Sequence, residues 1–207
     1  MENQWLTWAK RLQAVASNGL YYGESEFDNE RYREITAIAH AMIAAIGTVS
    51  VEQVEGLIPN LKLGYATPKI DVRGAVIDSG KILLVREKSD GLWTLPGGFA
   101  DVGQSGSENV VKEVWEEAGL RVKVAGLYSL KHKAKHAYKP DVLDFYKLFY
   151  LCERVDDGIA QPGHETSGAA FFDRHDLPPL SRVRTIEEDI ETAFAFHEGA
   201  VRAALFD

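Results

Sequence analysis

The chain has 207 residues, 45% of them hydrophobic and 26% charged, enough for one large or two small domains with an ample core. A formal net charge of −8 excludes a general binder of nucleic-acid backbone, which needs a basic surface to displace counterions, but not a small anionic substrate escorted by a divalent cation. The single cysteine, Cys152, lies in an apolar run without a disulfide partner, which suits a reducing compartment and a small buried hydrophobe.

The opening MENQWLTWAKRLQ shows no secretory signal, and the longest apolar stretch, residues 35–49, is interrupted by Thr36, His40 and Thr48 and too short to span a bilayer. The expectation is a cytoplasmic protein without a membrane partner. Helical periodicity places Trp5, Trp8, Ala9, Leu12 and Val15 on one segment and Ile35, Ile38, Ala39, Met42, Ala45 and Ile46 on another. Residues 19–29 read as the polar connection, and a third helix over 51–57 is stopped by Pro59. Residues 1–62 thus form a helical extension and 63–207 a second domain. Trp5 and Trp8 pack either in the intrachain core or in a homodimer contact.

From Val72 the pattern turns to strands. Residues 72–77 and 81–87 are β-rich runs joined by Asp78-Ser79-Gly80, a hairpin signal. Residues 93–95 lead into a glycine loop with Gly97, Gly98, Gly103 and Gly106 around Asp101. A helix follows, with Ser107 as the expected N-cap and Gly119 ending it. Its Val110, Val111, Val114, Trp115 and Ala118 form an apolar stripe, whereas Glu113, Glu116 and Glu117, at i, i+3 and i+4, project from the other face. Like charges at that spacing repel, and Lys112 alone does not compensate them; a hard divalent cation does. Further strands are expected over 122–130, 145–153 and 169–172, then a helix over 186–205.

Starting at Gly98, the order Gly, Glu113, Glu116, Glu117, Gly119, Leu120 resembles the Nudix box, G-x5-E-x7-R-E-U-x-E-E-x-G-U with U apolar. Two positions depart from it: Gln104 stands where the pattern has its first Glu, and Lys112 stands where it has Arg, which loses the planar fork that grips a carboxylate. The resemblance implies an α/β fold, a Nudix α/β/α sandwich with mixed sheet, preceded by the small helical subdomain. With its helical extension the chain is similar to a subgroup that includes CDP-choline and ADP-ribose pyrophosphatases.

For this chain the resemblance implies a metal-dependent pyrophosphohydrolase acting on a nucleotide-derived small molecule, X-P-P-nucleoside, with CDP-choline slightly preferred over ADP-ribose. Glu113, Glu116 and Glu117 with the Gly97 carbonyl would hold Mg²⁺ or Mn²⁺, and Glu117 or Glu165 would take the proton of the attacking water, with His164 an adjacent alternative. Arg86 and Lys88 at a strand end, Trp93, and Lys131 and His136 in the basic segment 130–143 are the candidate substrate contacts. A catalytically silent nucleotide sensor on the same fold is the alternative, supported only by Gln104.

Overall fold

The computed structural model describes residues 2–58 and 64–207. Two compact units result: Met1–Pro68 with Lys139–Asp144, and Lys69–Tyr138 with Phe145–Asp207. The expected boundary after residue 62 and the stop at Pro59 lie outside the described residues.

The first unit holds α1 (Gln4–Tyr22), α2 (Glu26–Gly47) and α3 (Val51–Leu57). Each starts at a side-chain cap: Asn3 accepts from the Trp5 N–H, Ser25 from Asp28, and Ser50 forms a reciprocal box with Gln53. The α1–α2 connection is only residues 23–25, shorter than the expected 19–29. Gly19 is a packing residue rather than a helix stop, since a Cβ there would lie 2.4 Å from the Tyr32 ring. The core of this unit is Leu6, Ala9, Ile43, Ala44 and Val54, with Val142 packed against it. Of the α1 stripe only Ala9 faces this core; Trp5 is 59% exposed, and Trp8, Leu12 and Val15 are exposed too. The Lys10 ammonium ties residues 141–144 to α1, lying 2.7 Å from Asp144 Oδ1 and 3.4 Å from the Leu143 carbonyl.

The second unit is a mixed sheet of eight strands between two helices. In chain order come β1 (Lys69–Asp78), β2 (Lys81–Glu87), β3 (Trp93–Thr94), β4 (Gly97–Phe99), α4 (Gly106–Ala118), β5 (Val122–His132), a 3₁₀ turn (Lys133–Lys135), β6 (Phe145–Arg154), β7 (Thr166–Asp173), α5 (Glu187–His197) and β8 (Leu205–Phe206). The path runs β3-β2-β1-β6-β5-β8, with β4 on β1 and β7 on β2. β1 and β6 are parallel, from Lys69 opposite Phe145 to Val76 opposite Cys152, while β2 and β4 run antiparallel to β1. The β1–β2 turn takes positive φ at Ser79 (51°) and Gly80 (73°), as a tight two-residue hairpin requires.

On one face of the sheet α4 packs Val110, Val114 and Ala118 on Val72, Val76, Leu83 and Val85. Gly74 lets it approach, since a Cβ there would meet the Val114 and Val110 side chains at 2.9 and 3.0 Å. On the other face α5 packs Ile190, Ala193 and Phe194 over Leu95, Tyr128 and Phe149. Two short strands, β4 and β8, lie where only loop or helix is expected, and α5 ends at His197 rather than near residue 205. Among the described residues no single helix is long and apolar enough to cross a membrane.

Candidate active site

The site is organised by α4. Its N-cap is Ser105, not Ser107: the Ser105 hydroxyl accepts from the Glu108 N–H and the Glu108 carboxylate accepts from the Ser105 N–H. Gly119, at φ 66°, ends the helix as expected. Trp115 is not on the packing face. It is 51% exposed, with the Arg121 guanidinium 5.5 Å from its ring, because it falls one residue off the row Val110–Val114–Ala118 that carries the burial.

That burial turns the glutamates toward β4. The ladder bonds from Gly74 N–H to the Pro96 carbonyl and from Ala100 N–H to the Ile70 carbonyl leave Gly97 between them with its N–H off the ladder. This N–H donates to Glu117 Oε2 at 2.8 Å. Gly97 has φ 146°, and a Cβ there would stand 2.0 Å from the Val72 carbonyl, so only glycine fits. One residue on, a Cβ at Gly98 would lie 3.2 Å from both Glu113 oxygens.

Both carboxylates are strained as anions. Burial pushes Glu117 up to about 8, with Glu113 and Glu87 adding to the effect and Arg73 and the Gly97 N–H opposing it. Glu113 is raised by burial, then by Glu116 and Glu165, against Arg73 and Lys112. The opposing cation, Arg73, is buried on β1 and fixed by both Asp71 oxygens (2.9 and 3.0 Å) and the Leu95 carbonyl (3.1 Å). Lys147 reaches the same Asp71 at 2.8 Å. Burial works against the Asp71 anion, yet Arg73 and Lys147 outweigh it and hold the carboxyl at about 2.

The second wall is the loop before β7. Gly163 N–H donates to Thr166 Oγ1 at 2.8 Å, the Thr166 hydroxyl donates to the Glu117 carbonyl at 2.8 Å, and Gln161 N–H donates to the Ala118 carbonyl at 2.9 Å. The loop therefore caps the carbonyl end of the helix that carries the glutamates. A Cβ at Gly163 would lie 1.6 Å from the Glu116 carbonyl oxygen, which explains the glycine. His164 and Glu165 are left exposed, and Lys88 Nζ holds the loop backbone at the His164 carbonyl, 2.5 Å away.

Between these walls lies a cleft of about 410 Å³ lined by Asp101, Lys112, Glu113, Glu116, Glu117, His164 and Glu165. Lys112 bridges Asp101 Oδ2 at 2.8 Å and Glu116 Oε2 at 3.4 Å. The glycine loop is pinned by buried Asn109, which accepts from Asp101 N–H at 2.8 Å and donates to the Gln104 and Ser105 carbonyls. Among the described residues no three acidic, histidine or cysteine side chains form a preassembled metal cage. The donor set nevertheless suits a hard divalent cation: it is anionic, all-oxygen, and contains two carboxylates whose charged forms lack compensation.

The structure brings Gly97, Glu113, Glu116, Glu117 and Glu165 together, with Lys88 behind the Glu165 loop. Other expected contacts go elsewhere. Arg86 donates to the Gly91 carbonyl at 2.8 Å, and Trp93 packs edge-on against Phe172, centroids 4.7 Å apart, as part of the core beneath α5. Lys131 is a correction: β5 continues past the expected 130, turning this lysine inward to Asp189 and Glu188, both at 2.9 Å. His136 is engaged at 2.6 Å by Asp207. Arg73, Asp101, Asn109 and Thr166 carry no motif signal, although a charged pair two apart in a strand buried on both faces, as Asp71 and Arg73 are, is the mark of a built ion pair.

Residues 68–193 match the NUDIX domain, and residues 3–58 match a UDP-X-like, N-terminal oligomerisation domain. A putative ADP-ribose pyrophosphatase, YjhB of Bacillus subtilis (strain 168), is 40% identical over 207 residues, covering 100% of this chain and 99% of its own. A crystal structure of an ADP-ribose pyrophosphatase from Streptococcus suis 89-1591 superposes with a TM-score of 0.59 at 40% identity, over 68% of this chain and 100% of that one. A UDP-X diphosphatase superposes with a TM-score of 0.64 at 30% identity, over 98% of both chains.

Proposed function

The chain belongs to the Nudix hydrolase family, and from that premise we propose that it cleaves the diphosphate of an X-P-P-nucleoside to a nucleoside monophosphate and X-phosphate, with ADP-ribose the first substrate to test. The observation that carries this is the carboxylate cleft, where Glu117 is oriented by Gly97 and shares one wall with Glu113 and Glu116 while Glu165 stands on the other. ADP-ribose moves ahead of CDP-choline because two of the three relatives described above bear its name and none bears that of CDP-choline. A UDP-linked compound follows, from the neighbour that covers nearly the whole chain.

Nudix pyrophosphatases work with divalent metal ions. Glu113, Glu116 and Glu117, with the Gly97 carbonyl, would hold Mg²⁺ or Mn²⁺ here. Such an ion supplies charge neutralisation on the phosphate oxygens and acidifies bound water. The chain's own residues do the rest. Gly97 N–H fixes one Glu117 oxygen, so Glu117 keeps its orientation as the diphosphate enters. Lys112 adds a positive charge at the cleft wall. Water attacks one phosphorus, its proton passes to Glu165 as the exposed carboxylate, and the bridging oxygen leaves with the departing phosphate. All three helix carboxylates are present, which favours catalysis over a silent sensor.

Residues 1–62 are proposed as a dimerisation unit joined to a hydrolase domain over 63–207, supported by the exposed apolar side of α1 and by the oligomerisation match. A single cysteine, buried and free, suits a reducing compartment and supports a cytoplasmic setting. The test is release of nucleoside monophosphate from ADP-ribose, UDP-glucose and CDP-choline with Mg²⁺, Mn²⁺ or EDTA, beside Glu117→Gln. Cation-dependent cleavage lost in the variant is expected; full turnover by folded Glu117→Gln would refute the assignment.

A further inference from the structure

Among the described residues that line the carboxylate cleft, Lys112 is the one lysine or arginine. It stands on α4 one turn before Glu116, and its ammonium is shared unequally, 2.8 Å from Asp101 Oδ2 and 3.4 Å from Glu116 Oε2. The looser contact has a cause in the helix. At a spacing of i, i+4 a lysine placed N-terminal to its glutamate is the poorer order, because the two charges then oppose the helix dipole. The side chains of Asp101 and Glu116 are 54% and 51% exposed, so water screens both pairs and the ammonium can leave either one.

Asp101 is fixed without the lysine. Its N–H donates to Asn109 Oδ1 at 2.8 Å, and the buried Asn109 amide donates in turn to the Gln104 and Ser105 carbonyls. The backbone that carries the Asp101 carboxylate is thus held at the cleft wall by bonds that involve neither Lys112 nor Glu116. Of the three helix glutamates, Glu116 is the one that Lys112 touches, while Glu117 is oriented by the Gly97 N–H and Glu113 lies against Gly98. A hard divalent cation takes carboxylate oxygens as ligands, so it and the ammonium contend for Glu116. Asp101 decides how readily the ammonium yields.

We propose that Lys112 is a resident counter-ion of Glu116 that lowers the affinity of the cleft for a divalent cation, and that Asp101 is the seat to which it withdraws when the cation binds; this rests on the reading of the cleft given above. The pair tunes how much free cation the protein needs before Glu116 is available. A lysine suits the role better than the arginine of the Nudix box. Its ammonium is a point charge on a flexible stem that gives up one oxygen while keeping another, whereas a guanidinium fork grips a single carboxylate with two donors. Asp101 occupies one of the unspecified positions between Gly98 and Gln104, so the box pattern assigns it no part.

The experiment is a calorimetric titration of the full-length, metal-free protein with Mn²⁺ alone, for wild type, Lys112→Met, Lys112→Gln, Asp101→Asn and the Lys112→Met/Asp101→Asn double variant. Both Lys112 variants are expected to bind Mn²⁺ about threefold to fivefold more tightly than wild type, the scale of an exposed ion pair. Asp101→Asn leaves the ammonium with Glu116 and weakens Mn²⁺ by a similar factor, an effect that is lost when Lys112 is already methionine. Unchanged or weaker Mn²⁺ binding in both Lys112 variants overturns the proposal even if hydrolysis remains cation-dependent, since the lysine would then only brace α4 against the glycine loop. So does an equal loss from Asp101→Asn in both backgrounds, because Asp101 would then act on the ion directly. Lys112-dependent Mn²⁺ affinity without hydrolysis of any diphosphate overturns the catalytic reading and leaves the counter-ion standing.

Discussion

Replacing Glu117 with glutamine should make the metal-free protein more stable, and only at the alkaline side. The amide oxygen still accepts from Gly97 N–H, so the hydrogen bond at 2.8 Å survives and the charge is what changes. Burial raises the Glu117 carboxyl from 4.5 to about 8. Across that interval the folded state keeps a proton that the unfolded state has lost, so unfolding free energy falls as pH rises, by about 1.4 kcal/mol per pH unit. The full shift corresponds to a loss of the order of 3–5 kcal/mol, complete above the folded value and absent below the unfolded one. Asp71, held at about 2, titrates below this window, and Lys147, lowered to about 8 by burial, enters only at its upper end. Glu113 acts in the same direction as Glu117 and is present in both proteins, and its repulsion of the Glu117 anion is part of what the substitution relieves. The assay is thermal or urea unfolding in EDTA from about pH 5 to about pH 8. The variant should match wild type at the acid end and gain several degrees at the other, at about 2–4 °C per kcal/mol. Adding Mg²⁺ at about pH 8 should stabilise wild type more than the variant, because a bound cation favours the anion. A difference that stays flat across the window would refute the claim that Glu117 is a destabilised, buried anion.

Lys131→Met should cost about 3–5 kcal/mol by leaving fully buried Asp189 without its cation, with KM unchanged in whatever protein remains folded; a KM effect without loss of stability would reinstate Lys131 as a substrate contact. Thr166→Val removes the hydroxyl that links Gly163 N–H to the Glu117 carbonyl, so chemical denaturation should show a loss of about 1–3 kcal/mol and kcat should fall more than KM rises. Trp5→Glu together with Val15→Glu places charge on the exposed side of α1 and, if this side forms the proposed dimer contact, should reduce the mass seen by light scattering while the far-ultraviolet circular dichroism is unchanged; an unaltered mass would remove this side from that proposal.

The strands that carry the core were legible because β-branched runs bounded by turn residues declare themselves, and β2 at Lys81–Glu87 falls where its sequence places it. The acidic helix was legible from spacing alone. Its N-cap was not, because Ser105 and Ser107 are both eligible and only the reply of Glu108 to Ser105 decides between them. Trp115 misled for a related reason: an apolar type at the flank of a helical stripe reads as core, while its angular position puts it in solvent. β4 is three residues rich in glycine, with no strand propensity, and exists because β1 offers it a ladder edge. Lys131 and His136 looked like a basic, phosphate-seeking segment, but the acids that neutralise them lie more than fifty residues away on α5 and at the C-terminus. Long-range charge pairing of this kind leaves no local trace.

The loop that supplies Glu165 also supplies the partners of the last α4 carbonyls. It therefore cannot swing aside to admit or release a ligand without fraying the helix end that presents Glu116 and Glu117. In hydrogen-exchange terms the amides of Gln161 and Gly163 belong with the helix, opening only when its final turn opens. The opposite wall, residues 101–105, is held by different bonds, those of the Asn109 amide and the exposed Asp101–Lys112 pair. An insertion lengthening that wall would leave the glutamates in place, whereas one residue added between Gln161 and Thr166 would disconnect Glu165 from the end of the glutamate helix.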